Sequence, residues 1–206
     1  MLHLLQGLAI GFAIAAPVGP VGLLCIRRSI VDGRLAGFVT GLGAATADSI
    51  YGLVAALGLT SVTVFLTDHA TAFHLIGGIF LLVIGSATLC ARPPQRKTGP
   101  IHAPNLRMAF LSTLGITLAN PMTIASFIGI FAGFGPGLLT TGAVQAIWLV
   151  LGVFLGSAAW WLILSGAASW FARHITDGGL HFINFVAGGA IAAFGLWQLG
   201  RLAFGF

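Results

Sequence analysis

Long uncharged stretches alternate with short charged segments along this chain, and this pattern predicts membrane-spanning helices. Stretches without Asp, Glu, Lys or Arg include 1–26, 69–91 and 178–200, and a helix needs about 20 apolar residues to cross a bilayer. The stretch 108–172 is too long for one span, and the glycine-rich segment 133–137 divides it. We therefore predict six helices, at 2–26, 36–66, 70–91, 107–132, 140–171 and 179–204.

The composition supports this interpretation. Charged residues make up 6% of the 206 residues, hydrophobic residues make up 58%, and the mean hydropathy is +1.05. A soluble domain has about 25% charged residues, so this chain has too little charge to solvate a globular surface. These numbers exclude a cytosolic enzyme, a nucleic-acid-binding module and a disordered protein. They predict an all-α integral membrane protein that has the lipid bilayer as its partner.

The basic residues fall on one side of the predicted spans. Eight of the nine Lys and Arg residues follow predicted helices one, three and five, and only Arg201 lies on the other side. Because Lys and Arg are enriched in cytoplasmic loops, we expect those three loops in the cytoplasm and both termini outside. The net charge of +5 is then explained by topology and requires no nucleic-acid partner. The eight residues are Arg27, Arg28, Arg34, Arg92, Arg96, Lys97, Arg107 and Arg173.

Two halves of similar pattern flank a proline-rich basic linker. We predict a first three-helix repeat at 1–91, a cytoplasmic linker at 92–106 and a second three-helix repeat at 107–206. Aligning Gly43 to Tyr51 with Gly152 to Trp160 sets Asp48 opposite Ser157. Since each half has an odd number of spans, the second half has the opposite orientation. Inverted three-plus-three repeats are typical of secondary transporters.

Asp48 is the strongest candidate for chemistry. It lies near the middle of predicted helix two and is the charged residue set deepest within a span. Placing an Asp at the bilayer centre costs about 2.5–3.5 kcal/mol, so such a residue usually faces a cavity and binds an ion, a proton or a cationic group. A purely structural role, in which a protonated Asp48 caps a nearby backbone break, is the alternative.

Predicted helices one and four each contain a break at similar depth. Pro17 and Pro20 remove two backbone donors, and Gly19 between them allows the chain to unwind. Asn120 and Pro121 supply the matching break. Unwound carbonyls bind cations and a resumed helix N-terminus attracts anions, so paired breaks favour a binding site at the midplane. A simple kink in helix one remains the alternative.

Two further side chains lie one helical turn from these candidates. Tyr51 shares a face with Asp48, and Thr117 shares a face with Asn120. We therefore predict that Asp48, Asn120, Tyr51 and Thr117 bind substrate or protons.

These motifs together resemble the LysE/RhtB family of amino-acid exporters, also described as LysE-type translocators, over nearly the whole chain. The family has a Pro-Gly-Pro break in its first helix, a glycine ladder ending in Gly-Asp in its second, and Asn-Pro-Lys in its fourth. The matching residues here are Pro17-Val18-Gly19-Pro20, then Gly33, Gly37, Gly43 and Ala47-Asp48, then Asn120-Pro121-Met122. Ala47 replaces a family glycine, and Met122 replaces a frequent lysine that could pair with Asp48 or a substrate carboxylate.

The resemblance implies a six-helix exporter in the bacterial inner membrane, driven by the proton gradient. Its core positions would then be Asp48, Pro17, Gly19, Pro20, Asn120 and Pro121. From the helix breaks we predict that Pro17, Gly19, Pro20 and Pro121 line the cavity. We predict a secondary-active transporter that exports a small amphiphilic solute, with an amino acid favoured, in exchange for protons. We expect no cofactor, no metal site and no enzymatic activity; small-residue faces permit a homodimer. Two alternatives are a divalent-metal exporter, which one carboxylate argues against, and a passive channel.

Overall fold

Helices make up all the regular structure in the described part of this protein. The computed structural model describes residues 2–17, 19–56, 68–90, 105–120, 123–124, 126–127, 142–172 and 177–204. Seven helices and no strands occur in these residues, as expected for an all-α protein. The helices are α1 (Leu2–Ala15), α2 (Pro20–Val31), α3 (Arg34–Ala56), α4 (Ala70–Leu89), α5 (Leu106–Leu118), α6 (Ala143–Ala172) and α7 (Asp177–Phe204).

Two helices, α3 and α6, are each long and apolar enough to cross a membrane, and α1 with α2 would make a third span as one broken helix. The other apolar helical stretches, at 75–89, 106–118 and 181–197, are shorter. The described residues thus provide two or three candidate spans, and six spans remain a prediction. Parts of predicted helices two and four, at 57–66 and 128–132, lie outside the described residues.

The first predicted helix is broken into two, and its predicted end at residue 26 was wrong. α1 ends at Ala15, α2 begins at Pro20, and the two helices are bent by 83°. Proline suits the first position of a helix, where its missing N–H leaves no bond unmade. α2 then continues to Val31, so Arg27 and Arg28 lie inside a helix rather than in the predicted loop.

The turn after α2 explains why that helix ends there. Gly33 has φ +94°, a left-handed conformation that glycine adopts without the steric penalty of a side chain. The backbone N–H of Asp32 still bonds the carbonyl of Arg28, and α3 begins at Arg34. A sequence rule that places arginines outside the membrane therefore put the end of the helix too early.

The long helices α3 and α6 pack against each other and form the centre of the helix assembly. α1 packs along α6, α5 packs along α3, and α4 pairs with α7. α2 lies beside α3, α6 and α7. α2 thus begins at the break and contacts three other helices.

Glycines bring the backbones of α1 and α6 into direct contact. A Cβ atom built on Gly7 or Gly11 would overlap the α6 backbone at Leu149 or Val153. A Cβ atom on Gly156 would in turn overlap the carbonyl oxygen of Leu8. Small residues at helix interfaces in membranes permit this kind of approach, and here they fix α1 against the helix that carries Ser157.

Candidate functional site: a cavity between two helix breaks

A cavity of about 300 Å³ lies where the break between α1 and α2 meets the end of α5. Among the described residues, six helices contribute to its wall, α1, α2, α3, α5, α6 and α7, together with residues that follow α5. Its polar lining comes from Asp48, Thr117, Asn120, Thr123 and Ser126. Its apolar lining includes Ile14, Val21, Trp161 and Phe194. A small amphiphilic molecule would meet both kinds of surface there.

Asp48 lies on α3 and is only 3% exposed. The hydroxyl of Ser157, on α6, donates a 2.7 Å hydrogen bond to Oδ2 of Asp48. The indole Nε1–H of Trp161 donates in turn to Ser157 Oγ over 3.1 Å. Among the described residues, no basic side chain forms an ion pair with Asp48, and the donor to its carboxyl group is the neutral hydroxyl of Ser157. Desolvation disfavours a buried carboxylate without a cationic partner, which suits a group that alternates between a proton and another cation.

The N-terminal end of α2 borders the same cavity. Gly19 is its N-cap residue, with extended backbone at φ −109° and ψ −164°. The first hydrogen bond of the helix runs from the N–H of Leu23 to the carbonyl of Gly19. The amide groups of Val21 and Gly22 precede it, and both residues line the cavity. A helix N-terminus carries a partial positive charge and free N–H donors, so this wall is electrostatically opposite to Asp48.

The second break occurs at Asn120. α5 ends at Leu118, and the N–H of Asn120 bonds the carbonyl of Thr117 over 3.2 Å. The carbonyl of Asn120 then accepts from the N–H groups of Thr123 and Ile124, at 3.1 and 3.3 Å, where the backbone is helical again. Asn120 thus closes one helical segment and opens the next. The break predicted here is present, while Pro121 itself lies outside the described residues.

The hydroxyl of Thr117 is buried and has no hydrogen-bond partner among the described residues. The residue is 4% exposed and lines the cavity. A buried hydroxyl without a hydrogen bond is destabilising by about 1–3 kcal/mol. An unsatisfied donor and acceptor at a cavity wall is therefore a feature that a bound polar ligand would correct.

Tyr51 lies outside the described cavity lining and contacts the end of α5. Its hydroxyl makes a short hydrogen bond to the carbonyl oxygen of Leu118, the last residue of α5. That carbonyl belongs to the last turn of a helix, where carbonyls lack a partner within the helix. Tyr51 therefore ties α3 to the end of α5, where the second break begins.

The structure brings most of the sequence-predicted site residues to one place. The cavity lining includes Pro17, Gly19, Pro20, Asp48, Thr117 and Asn120. Sequence reasoning left Trp161, Thr123, Ser126 and Phe194 out of the site. It did name Ser157, as the counterpart of Asp48 in the repeat, but assigned it no role. The sequence signal for Ser157 was its position opposite Asp48 in the aligned repeats. Trp161 and Phe194 had no comparable signal, because an uncharged tryptophan or phenylalanine in an apolar helix looks like any other packing residue.

A second polar cluster lies at the far end of α2. The guanidinium of Arg28 donates to Oγ1 of Thr40 at 3.1 Å, to the carbonyl of Ala109 and to Oγ of Ser112, both at 3.0 Å, and to Oγ1 of Thr113 at 3.4 Å. These bonds tie α2 to α3 and α5. Arg28 thus has a structural role in addition to any role in membrane orientation.

Arg27 makes the corresponding connection to α7. Its Nε donates a 2.7 Å hydrogen bond to Oδ1 of Asn184, which is 1% exposed. Within the described part of the chain, no group of three or more His, Cys, Asp or Glu side chains is placed to bind a metal ion.

Two discontinuous helices, a buried carboxyl group between them and long apolar helices around them define the class: a helical membrane transport protein. Comparison with known proteins gives the family. The model of the LysE type translocator matches residues 12–200, and the chain belongs to this family, as its resemblance to LysE-type exporters indicated.

Two relatives are similar over most of the chain. One, from Bacillus subtilis (strain 168), is called "Putative amino acid efflux protein YcgF" and is 30% identical over 200 residues, which are 94% of this chain and 93% of that protein. The other, from Escherichia coli (strain K12), is called "Uncharacterized membrane protein YahN" and is 31% identical over 151 residues, which are 70% of this chain and 65% of that protein. No solved structure matches the chain.

Proposed function

We propose that this translocator exports an amino acid across the bacterial inner membrane and exchanges it for a proton at Asp48. The observation that carries the proposal is the position of a 3% exposed carboxyl group in a cavity between two helix breaks. The name of the Bacillus subtilis relative, an amino acid efflux protein, supports the substrate class.

The charges around the cavity suit a zwitterion. The ammonium group would bind the carboxylate of Asp48, whose Oδ2 already accepts from Ser157 and whose other oxygen is available in the described contacts. The substrate carboxylate would lie at the N-terminal end of α2, near the amide groups of Val21 and Gly22. The hydroxyl of Thr117, which has no partner among the residues that the structure describes, would bond the same substrate.

Exchange follows from the use of one carboxylate for two cations. A protonated Asp48 offers no charge to an ammonium group, so the substrate and the proton compete for it. Proton uptake from outside would release the amino acid, and proton loss to the cytoplasm would prepare the site for the next one. Ser157 can donate to the carboxylate when it is charged and, after rotation of the hydroxyl, accept from the carboxylic acid.

We further propose six spans in two inverted repeats, at 1–91 and 107–206, joined by the linker 92–106. Helix packing supports this, because α1 packs on α6 as α5 packs on α3. In the alignment Gly43 corresponds to Gly152. A Cβ on Gly152 would overlap the carbonyl of Leu4 and approach the N–H of Leu8; a Cβ on Gly43 would overlap the carbonyl of Phe110 and approach the N–H of Leu114.

The orientation with both termini outside the cytoplasm is part of the proposal. It is supported by the eight Lys and Arg residues that follow predicted helices one, three and five in the sequence. The basic end of α2, with Arg27 and Arg28, would then face the cytoplasm, and the cavity would lie deeper in the membrane.

A metal exporter and a passive channel fit less well. Divalent ions bind several carboxylate or imidazole ligands, whereas the described cavity lining contains one carboxylate and no His or Cys. A passive channel has no need of a carboxyl group at the midplane, and its flux would neither saturate nor respond to a proton gradient.

Transport by purified protein in liposomes tests the proposal. Vesicles loaded with a panel of amino acids are compared with and without an imposed pH gradient. We expect saturable flux that the gradient stimulates, and we expect Asp48→Asn to abolish the stimulation. Asp68→Asn is the matched control, because Asp68 is exposed just before α4. Flux through Asp48→Asn at the wild-type rate with unchanged pH dependence would contradict proton exchange at this residue.

A further inference from the structure

We infer that the exported amino acid has a single ammonium group, a single carboxylate and an uncharged, apolar side chain of about the size of leucine, norleucine or methionine. This inference rests on the proposed function and defines its substrate class. It is carried by the distribution of charge and carbon in the wall of the cavity.

Asp48 is the one charged residue among the described lining residues of the cavity. The sequence adds none at this depth, because 49–67 and 108–172 contain no Asp, Glu, Lys or Arg. The undescribed residues that follow the second break therefore carry no charge either. A second ammonium or carboxylate on the substrate would enter the membrane interior without a partner, which is strongly unfavourable.

Part of the cavity wall consists of apolar side chains. Trp161 is 4% exposed and lines the cavity, and its indole N–H donates to Ser157. The remainder of the indole can offer only carbon to a ligand. Phe194 from α7 and Ile14 from α1 add further apolar surface. A charged side chain on the substrate would lose its water against this wall without gaining a hydrogen bond.

The cavity has a volume of about 300 Å³, at the lower end of the range of about 300–1,000 Å³ for small-molecule sites. An amino acid of medium size occupies much of such a space. A very small side chain would leave the apolar wall in contact with water, and each methylene group placed against the wall improves binding by about 4-fold.

Matched pairs of substrates test the inference in the same liposomes. Lysine is norleucine with an added ammonium group, and glutamate is glutamine with a carboxylate in place of an amide. We expect kcat/KM for norleucine to exceed that for lysine by at least about 100-fold, and glutamine to be transported better than glutamate by a similar factor. Norleucine should exceed alanine by at least about 10-fold.

A variant tests whether the wall is responsible. Phe194→Ala should reduce the preference for norleucine over alanine by about 10-fold, and Phe194→Leu should restore part of it. Phe182→Ala is the control on the same helix, because Phe182 is 67% exposed on the outer face of α7. A preference that is equal in wild type and Phe194→Ala would overturn the assignment of the wall.

The outcomes separate this inference from the proposed function. Gradient-driven, Asp48-dependent transport in which lysine or glutamate equals or exceeds norleucine would overturn the substrate class and leave proton exchange standing. Absence of gradient-driven flux for every amino acid tested would overturn both. Transport of norleucine, leucine and methionine in preference to lysine, glutamate and alanine would support both.

Discussion

Asp48 and Ser157, which the alignment of the two predicted repeats sets opposite each other, are joined by a 2.7 Å hydrogen bond, with Ser157 as the donor. The contact links α3 to α6 at the centre of the assembly, and Ser157 is fully buried. The indole N–H of Trp161 can act only as a donor, and it donates to a lone pair of Ser157 Oγ. Trp161 therefore leaves the single hydroxyl hydrogen of Ser157 directed at Asp48.

We expect Ser157→Ala to shift the pH dependence of transport. A hydrogen bond donated to a carboxylate favours its charged form, so its loss favours the protonated form. The pH at which transport is half-maximal should rise, with a smaller change in the maximal rate. Stopped-flow flux measurements in liposomes at a series of pH values would show this. Trp161→Phe is the comparison variant, since it removes the donor to Ser157 while keeping an aromatic ring at the cavity wall, and it should give a smaller shift in the same direction.

Thr117→Val should separate binding from stability. Valine has nearly the same shape but lacks the hydroxyl, for which the described part of the chain provides no partner. Thermal stability in detergent should remain unchanged or rise, whereas KM for the substrate should rise about 10-fold, as expected for one hydrogen bond to a charged group. Thr117→Ser should retain the wild-type KM. A fall in stability with an unchanged KM would show that the hydroxyl serves the fold instead.

Gly156→Ala should destabilise the protein by about 1–3 kcal/mol or more, because a new Cβ would overlap the backbone of α1 at Leu8. The melting temperature in detergent measures this effect. Gly189→Ala is the control, since its Cβ would meet only Cδ2 of Leu89 at 3.9 Å. Equal melting temperatures for the two variants would contradict the close contact between α1 and α6.

Cys90 reports the orientation in the membrane. It is exposed at the end of α4, whereas Cys25 is fully buried. If the loop after α4 is cytoplasmic, a membrane-impermeant maleimide should label Cys90 in inverted vesicles but not in spheroplasts. Cys90→Ser should remove the signal in inverted vesicles. Labelling in spheroplasts would place this loop outside the cytoplasm and both termini inside it, which is the reverse of the proposed orientation.

Sequence alone located the parts of the site that depend on unusual residues in an apolar context. A lone Asp in a span, paired prolines around Gly19 and an Asn-Pro pair each stand out against leucine and alanine, and the structure brings Asp48, Gly19 and Asn120 to one cavity. The two backbone breaks were predicted for the same reason, because proline removes a helical donor wherever it occurs.

The apolar wall of the site was beyond the reach of the sequence. Trp161 and Phe194 contribute to the cavity through the way α6 and α7 are rotated about their axes, and no local pattern encodes that rotation in helices that are apolar on all sides. The end of α2 was placed too early for a different reason. Arg27 and Arg28 look like loop residues until their partners on other helices, such as Asn184 and Thr113, are known.

The junction between α1 and α2 has a mechanical consequence. The backbone hydrogen bonds of α1 extend to the N–H of Ala16, and those of α2 begin with the N–H of Leu23. No backbone hydrogen bond between α1 and α2 occurs among the described residues of the junction. α1 is held to α6 by its glycines, and the distant end of α2 is held to α3 and α5 by Arg28. The described part of the junction therefore has the properties of a hinge, because the angle between the two half-helices can change while the helical hydrogen bonds of each stay intact.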